Sequence, residues 1–284
     1  MSTIINNGNK KYTFVLPRKQ CFSFPPDVIS SMLKQPSSPN GLWKLYQTCK
    51  YFYSKKQILI ISDTQFDRHS FYYGKENPKL KIKSSWGREN YADFQHLLWH
   101  TGKLKILHYF QSENDRHLYF EKNRIPKFYR CSIKNLELYE TVLSLDDFKL
   151  VTAEKQIEKL FIQSNSWIYY QDYSKVDIAE ILRLELMPKL YSLRCFPHAT
   201  NYTNKVIEKF SLLQLQTKLS CLSLDFSECP NFNNDVNKDY LLKFLENNAK
   251  KNENFFIILT SRSNKELKSD LEKIVQKWKN EITL

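Results

Sequence analysis

Ile133-Lys134-Asn135-Leu136-Glu137-Leu138 recurs in form three more times, as Ile157-Glu158-Lys159-Leu160-Phe161-Ile162, Leu190-Tyr191-Ser192-Leu193-Arg194-Cys195 and Leu219-Ser220-Cys221-Leu222-Ser223-Leu224. Each copy reads apolar-x-x-Leu-x-apolar. Apolar residues two apart with a variable residue between them are the pattern of a strand with one buried face. The central leucines are 24, 33 and 29 residues apart. Phe255–Thr260 reads as a looser fifth strand, with Phe255 and Ile258 taking the first and central positions. Between these stretches lie helical patterns. Val206, Phe210 and Leu213 fall at i, i+4, i+7, and Leu241, Leu242 and Leu245 share a face. The last is the cleanest: Leu267, Leu271, Ile274, Val275 and Trp278. Strand followed by helix, again and again, predicts an α/β region with parallel strands.

The spacing lies near the roughly 20–29 residues of a leucine-rich repeat, or somewhat beyond it. Residues 128–284 are therefore read as an irregular leucine-rich-repeat-like solenoid, in which neighbouring units stack because none can bury its apolar face alone. The Asn/Cys position of the repeat consensus is not regularly kept. A plain α/β domain with one parallel sheet predicts the same elements and differs in curvature and in whether one sheet face stays uncovered. Residues 57–127 form an irregular linking α/β region. Ile58–Ile61, Leu80–Ser84 and Leu104–Tyr109 read as strands there, and Asp93–His100 as a helix.

Residues 1–21 are polar and Lys-rich and read as a flexible basic tail. Residues 22–56 read as a small helical unit. Pro25-Pro26-Asp27 starts a helix, because Pro is tolerated in the first turn and Asp favours the positive end of the dipole. Val28, Ile29, Met32 and Leu33 then form one apolar face. Pro36 to Gly41 breaks the chain. Leu42, Leu45, Cys49, Phe52 and Tyr53 share the face of a second helical stretch.

This unit resembles the F-box. The opening reads Phe24-Pro25-Pro26-Asp27-Val28-Ile29, the middle supplies Leu33, Leu42 and Leu45, and the close reads Thr48-Cys49-Lys50-Tyr51-Phe52. The wording is similar to that of the large nematode-type F-box families. Phe24 stands where the family has Leu, and Phe52 where it has Trp. The resemblance implies docking on the Skp-type adaptor of a cullin-containing ubiquitin ligase, with the following region holding a protein substrate. The adaptor-binding set it implies is Phe24, Pro25, Pro26, Val28, Ile29, Leu33, Leu42, Leu45, Cys49 and Phe52. Lys44, Lys50, Lys55 and Lys56 would complement an acidic adaptor, mainly by raising the rate of encounter. A unit of this size buries too little surface to be stable alone, so a partner should complete it. The same residues could instead form a helical cap on the solenoid.

The net charge of +13 is uneven: residues 1–150 carry 24 basic and 13 acidic side chains, +11, and residues 151–284 carry 19 and 17, +2. A basic nucleic-acid-binding module is the alternative this suggests. Lys outnumbers Arg 34 to 9, however, and Asn, Ile, Tyr and Phe are also abundant, which is the profile of AT-rich coding drift. Arg, the bidentate phosphate ligand, is sparse, so nucleic acid ranks below a protein partner. A third alternative is a solenoid scaffold whose F-box has decayed.

The six cysteines, at 21, 49, 131, 195, 221 and 229, include no C-x-x-C pair and read as reduced core thiols. The N-terminus lacks the apolar run of a signal peptide, and no stretch approaches the ~18 apolar residues of a membrane span. A cytoplasmic or nuclear location is expected, with no membrane contact. His96 and His100 are four apart, but Leu97 stands where a zinc protease has its Glu. Asp146, Asp147 and Glu185 read as solvated carboxylates on helices. With no phosphate-loop or nucleophile-elbow motif, the expectation is a non-enzyme with no catalytic residue, metal or cofactor.

Overall fold

The computed structural model describes residues 5–7, 10–12, 25–34, 36, 38–48, 52, 56, 58–67, 70–73, 97–107, 128–163, 166–195, 204–225, 238–250, 256–260 and 265–282. They form two compact units, Met1–Gln57 and Ile58–Leu284.

In the first unit, β1 (Ile5–Asn7) and β2 (Lys10–Tyr12) pair antiparallel where a loose tail was expected. β-branched Ile5 and aromatic Tyr12 are register partners there. Helix α1 (Pro26–Lys34) starts at the Pro-Pro-Asp signal, with Ile29 N–H donating to the Pro25 carbonyl at 3.2 Å. Helix α2 (Pro39–Thr48) is capped by Ser38, whose hydroxyl accepts the Gly41 N–H at 3.0 Å, and Pro39 occupies the first helical position.

The second unit is α/β with a mostly parallel eight-stranded sheet. Its strands are β3 (Ile58–Asp67), β4 (Ser70–Tyr73), β5 (Leu97–Leu107), β6 (Arg130–Tyr139), β8 (Lys159–Ile162), β10 (Ser192–Cys195), β11 (Cys221–Asp225) and β12 (Phe256–Thr260). In space they run β4-β3-β5-β6-β8-β10-β11-β12. Within this sheet only β3 and β4 pair antiparallel; β4 lies on one side of β3, and β5, β6, β8, β10, β11 and β12 add one after another on its other side. Short strands β7 (Val142–Ser144) and β9 (Trp167–Tyr169) form a second parallel pair. Helices α3 (Leu145–Thr152), α4 (Ile178–Arg183), α5 (Asn204–Ser211), α6 (Lys238–Asn248) and α7 (Lys265–Ile282) complete the unit. Ser144 and Asp177 cap α3 and α4 by accepting from the Asp147 and Glu180 N–H groups.

The strand motif is realised position by position. Leu104, Leu136, Leu160, Leu193, Leu222 and Ile257 form one rung across the sheet, and Ile106, Leu138, Ile162, Cys195, Leu224 and Leu259 form the next. All twelve positions of the four motif copies are buried. They share one core with Phe148, Val151, Ile178, Ile181, Ile207, Phe210, Leu241, Phe244, Leu271 and Val275 from the helices. The backbone repeats as well. Two residues before each central leucine, Glu158 N–H donates to the Lys134 carbonyl (2.7 Å), Tyr191 to Glu158 (3.0 Å) and Ser220 to Tyr191 (2.8 Å). Buried Asn248 ties the end of α6 to the preceding loop, donating to the Leu213 and Phe244 carbonyls (both 2.9 Å) and accepting from Leu215 N–H (2.7 Å).

Four further expectations change. Leu97–His100 belongs to β5, not to a helix. It is paired on both sides, with Ile58–Ile61 and with the start of β6, and that pairing overrides the local spacing. The fifth strand is shifted by one: Leu222 pairs with Ile257, not Ile258. The all-apolar run Phe256–Leu259 has no alternation to set its parity. Glu185 lies just beyond α4 with φ 50°, outside any helix. Cys221 is half-buried rather than a core thiol. The expected strand Leu80–Ser84 falls outside the described residues.

Candidate protein-binding surfaces

In the first unit the apolar residues of α1 divide. Ile29 and Leu33 are buried, while Val28 and Met32 are 38% and 39% exposed at i and i+4. Leu42 and Phe52 are buried, Leu45 is half-buried and Pro25 is exposed. Phe24, Cys49 and the Pro26 side chain lie outside the described residues. Ile29, Leu33, Leu42 and Phe52 are thus sealed in the folded chain and present no docking face. Among the described apolar residues of α1, α2 and the approach to α1, those left exposed are Pro25, Val28, Met32 and, on α2, Trp43 at 36% exposure. Trp43 was not singled out from the sequence, because it falls off the apolar face of α2. Lys44 is exposed, but Lys56 is not a free flanking cation. Its ammonium donates to the Leu33 carbonyl at the end of α1 (3.4 Å), and its own carbonyl accepts the Tyr46 hydroxyl at 2.7 Å. A cation on a helix C-terminus is favoured by the helix dipole.

The second unit offers a different surface. Residues flanking the central leucines point to the face opposite the leucines. Lys103, Asn135, Lys159, Ser192 and Cys221 form one row, and Lys105, Glu137, Phe161, Arg194 and Ser223 the next. Glu137 pairs with the Lys103 ammonium (2.7 Å) and accepts the Tyr139 hydroxyl (3.2 Å). The Lys105 ammonium sits over the Tyr139 ring at 4.4 Å, and that ring tilts against Phe161 at 5.1 Å. Burial, reinforced by Glu137, pushes the Tyr139 phenol up to about 12, against a lowering pull from Arg194. Lys159 and Arg194 are exposed. These residues went unremarked in the sequence because they are the variable letters of the motif. Reading those letters as one column would have found them.

Beside this face the sheet holds buried polar chemistry. Trp99 is 1% exposed, donates to the Ser132 hydroxyl (2.9 Å) and carries the Arg130 guanidinium 4.4 Å above its ring. Arg130 holds Glu154 through two bonds of 3.0 and 2.7 Å, and that partner raises its pKa further. His100 is fully buried, bonded to the Thr64 hydroxyl through Nε2 and edge-on to Phe128 at 5.5 Å. Burial lowers its pKa to about 3, so it is neutral at pH 7. The buried Cys131 thiol is pushed up to about 12, also by burial, and is no nucleophile. A cleft of ≈ 460 Å³ lies by the start of α3, lined by Asp146, Lys149, Tyr169, Gln171 and Asp172 among others. Its polar groups engage neighbours: Gln171 donates to Asp146 (3.1 Å), and Ser174 holds the Asp172 carboxyl below its usual range. Among the described residues no three metal-binding side chains cluster, and no helix is long and apolar enough to cross a membrane.

Comparison of the chain with protein families, with curated proteins and with solved structures finds no match in any of the three.

Proposed function

We propose that this protein is the non-catalytic substrate-recognition subunit of a Skp–cullin–F-box type ubiquitin ligase, acting in the cytoplasm or nucleus. The observation that carries the reading is the F-box-like wording of residues 24–52 on a helical unit whose helix α1 keeps Val28 and Met32 exposed. A stripe at i and i+4 is the form in which a helix lies in a partner's groove. The region behind it is read as an irregular leucine-rich-repeat-like solenoid. Support comes from strand order: a doubly wound sheet reverses at a switch point, whereas β3, β5, β6, β8, β10, β11 and β12 add in chain order, with equivalent hydrogen bonds at equivalent positions from β6 to β11. Such a subunit contributes effective concentration, holding the substrate near a recruited ubiquitin-conjugating enzyme.

The test is adaptor capture by wild type and by the Val28→Asp/Met32→Asp pair. Both positions are exposed, so the variant should keep its fold, whereas Leu42→Asp would place a charge at a fully buried site. Recovery of the adaptor should fall at least tenfold in the pair, with thermal unfolding unchanged. Equal recovery by both proteins, or by neither, overturns the reading. The burial of Ile29, Leu33, Leu42 and Phe52 favours the second reading, a scaffold that no longer docks, and the same experiment separates the two.

A further inference from the structure

We infer that the leucine-opposed face of β5, β6, β8 and β10 binds an extended acidic segment of a protein partner, with an aromatic or aliphatic residue of that segment seated against Tyr139 and Phe161. The inference rests on the substrate-recognition reading and supplies the substrate's chemical class.

Charge and ring placement carry it. Glu137 is the one acidic side chain in the two outward rows, and Lys103 already neutralises it at 2.7 Å. Lys105 is held on the Tyr139 ring. Lys159, whose ammonium lies a looser 5.7 Å from the Tyr191 ring centroid, and Arg194 are exposed cations with no ion pair among the described residues. They are diagonal neighbours on adjacent strands: Lys159 is opposite Ser192, and Arg194 is opposite Phe161. Diagonal side chains on a sheet stand about 7–8 Å apart. An extended chain places its same-side residues about 6.6 Å apart. Two acidic residues at i and i+2 of a bound segment therefore match the two cations, and Phe161 and Tyr139 lie beside them for an apolar residue. Nucleic acid fits this face less well. A single Arg serves it, Glu137 sits among the cations, and the Tyr139 ring is already engaged by Lys105 and Phe161, so a base would have to displace them to stack.

The test is selection of a displayed library of random 12-residue peptides on the full chain, with affinities measured at 0.05 and 0.2 M salt and a generic DNA duplex as a parallel probe. The expected peptides are enriched in Asp and Glu two apart with a nearby aromatic or aliphatic residue. They should bind at least tenfold more weakly to Lys159→Glu/Arg194→Glu, and less strongly at the higher salt. Lys159→Gln/Arg194→Gln should lose an intermediate amount with unchanged thermal unfolding. Selection of no peptides, selection without acidic enrichment, equal binding by the charge-reversed variant, or tighter binding of the duplex each overturns the inference. Adaptor capture by the same variants should stay at the wild-type level, so failure here is distinguishable from failure of the adaptor reading.

Discussion

The three long strands β3, β5 and β6 and the four short strands β8, β10, β11 and β12 belong to one sheet but obey different local rules. The short strands hold four or five residues each and pair without a register shift, and β8, β10 and β11 carry a buried apolar residue at both inward positions. The long strands hold ten or eleven and are interrupted at one level. Register shifts between Ser62 and Thr64 on β3, and between Gly102 and Lys103 on β5. Asp63 and Gly102 take φ values of 50° and 72° there, and the Asp63 carboxylate accepts the Lys103 N–H at 3.0 Å. On the rung where the short strands have Leu or Ile, β3 has Thr64, bonded to buried His100. A strand that spans only one motif can follow it strictly. A strand twice as long must add residues, and bulges with buried polar partners absorb them.

That contrast can be tested in three places. The largest effect belongs to the regular rung: Leu193→Ala, at a fully buried position, should cost about 2–5 kcal/mol in urea unfolding. A cost below ~1 kcal/mol would mean the rung collapses freely and is no tighter than the irregular half. Next is the pH dependence of His100. It stays neutral in the fold down to about 3, while the unfolded chain takes up its proton near the ordinary ~6.5. Stability attributable to His100 is therefore present above pH ~6.5 and lost as pH falls from there toward 3, by up to about 1.4 kcal/mol per pH unit. His100→Gln should flatten the slope of unfolding free energy between pH 6.5 and 4.5 relative to wild type; an unchanged slope would show that His100 protonates without resistance. Smallest is Gly102→Ala. A Cβ there would meet the Asp63 carboxylate at 3.0 Å and would have to accept φ 72°, a conformation that costs an L-residue about 1–2 kcal/mol. Full stability in the alanine variant would mean that the bulge can relax.

The same contrast explains which parts were legible. The four motif copies were readable because apolar-x-x-Leu-x-apolar states its own parity, and each copy pairs with the next at the expected leucine. Phe256–Leu259 states no parity, so its register could be assigned only by its neighbour Leu222. Leu97–His100 places Trp99 and His100 on opposite sides of β5, and both are buried. Covered on both sides, the segment shows no alternation. In the helical unit the Pro-Pro-Asp start was local chemistry and therefore visible, whereas Pro39 to Gly41, read as part of a chain break, form the first turn of α2. Which apolar residues stay outside was not: Val28 and Ile29 are adjacent letters of similar character, yet one is exposed and the other buried.

The linear order of residues by itself determined the alternation of strand and helix in the repeat region, the Pro-Pro-Asp helix start and the inward letters of the four motif copies, because each depends on spacing within a few residues. Only the folded chain decided the strand order, the bulge at Asp63 and Gly102, and the meeting of Lys159, Phe161 and Arg194 on one face. Those depend on pairings between residues about 24 to 40 positions apart, and no local rule carries that distance.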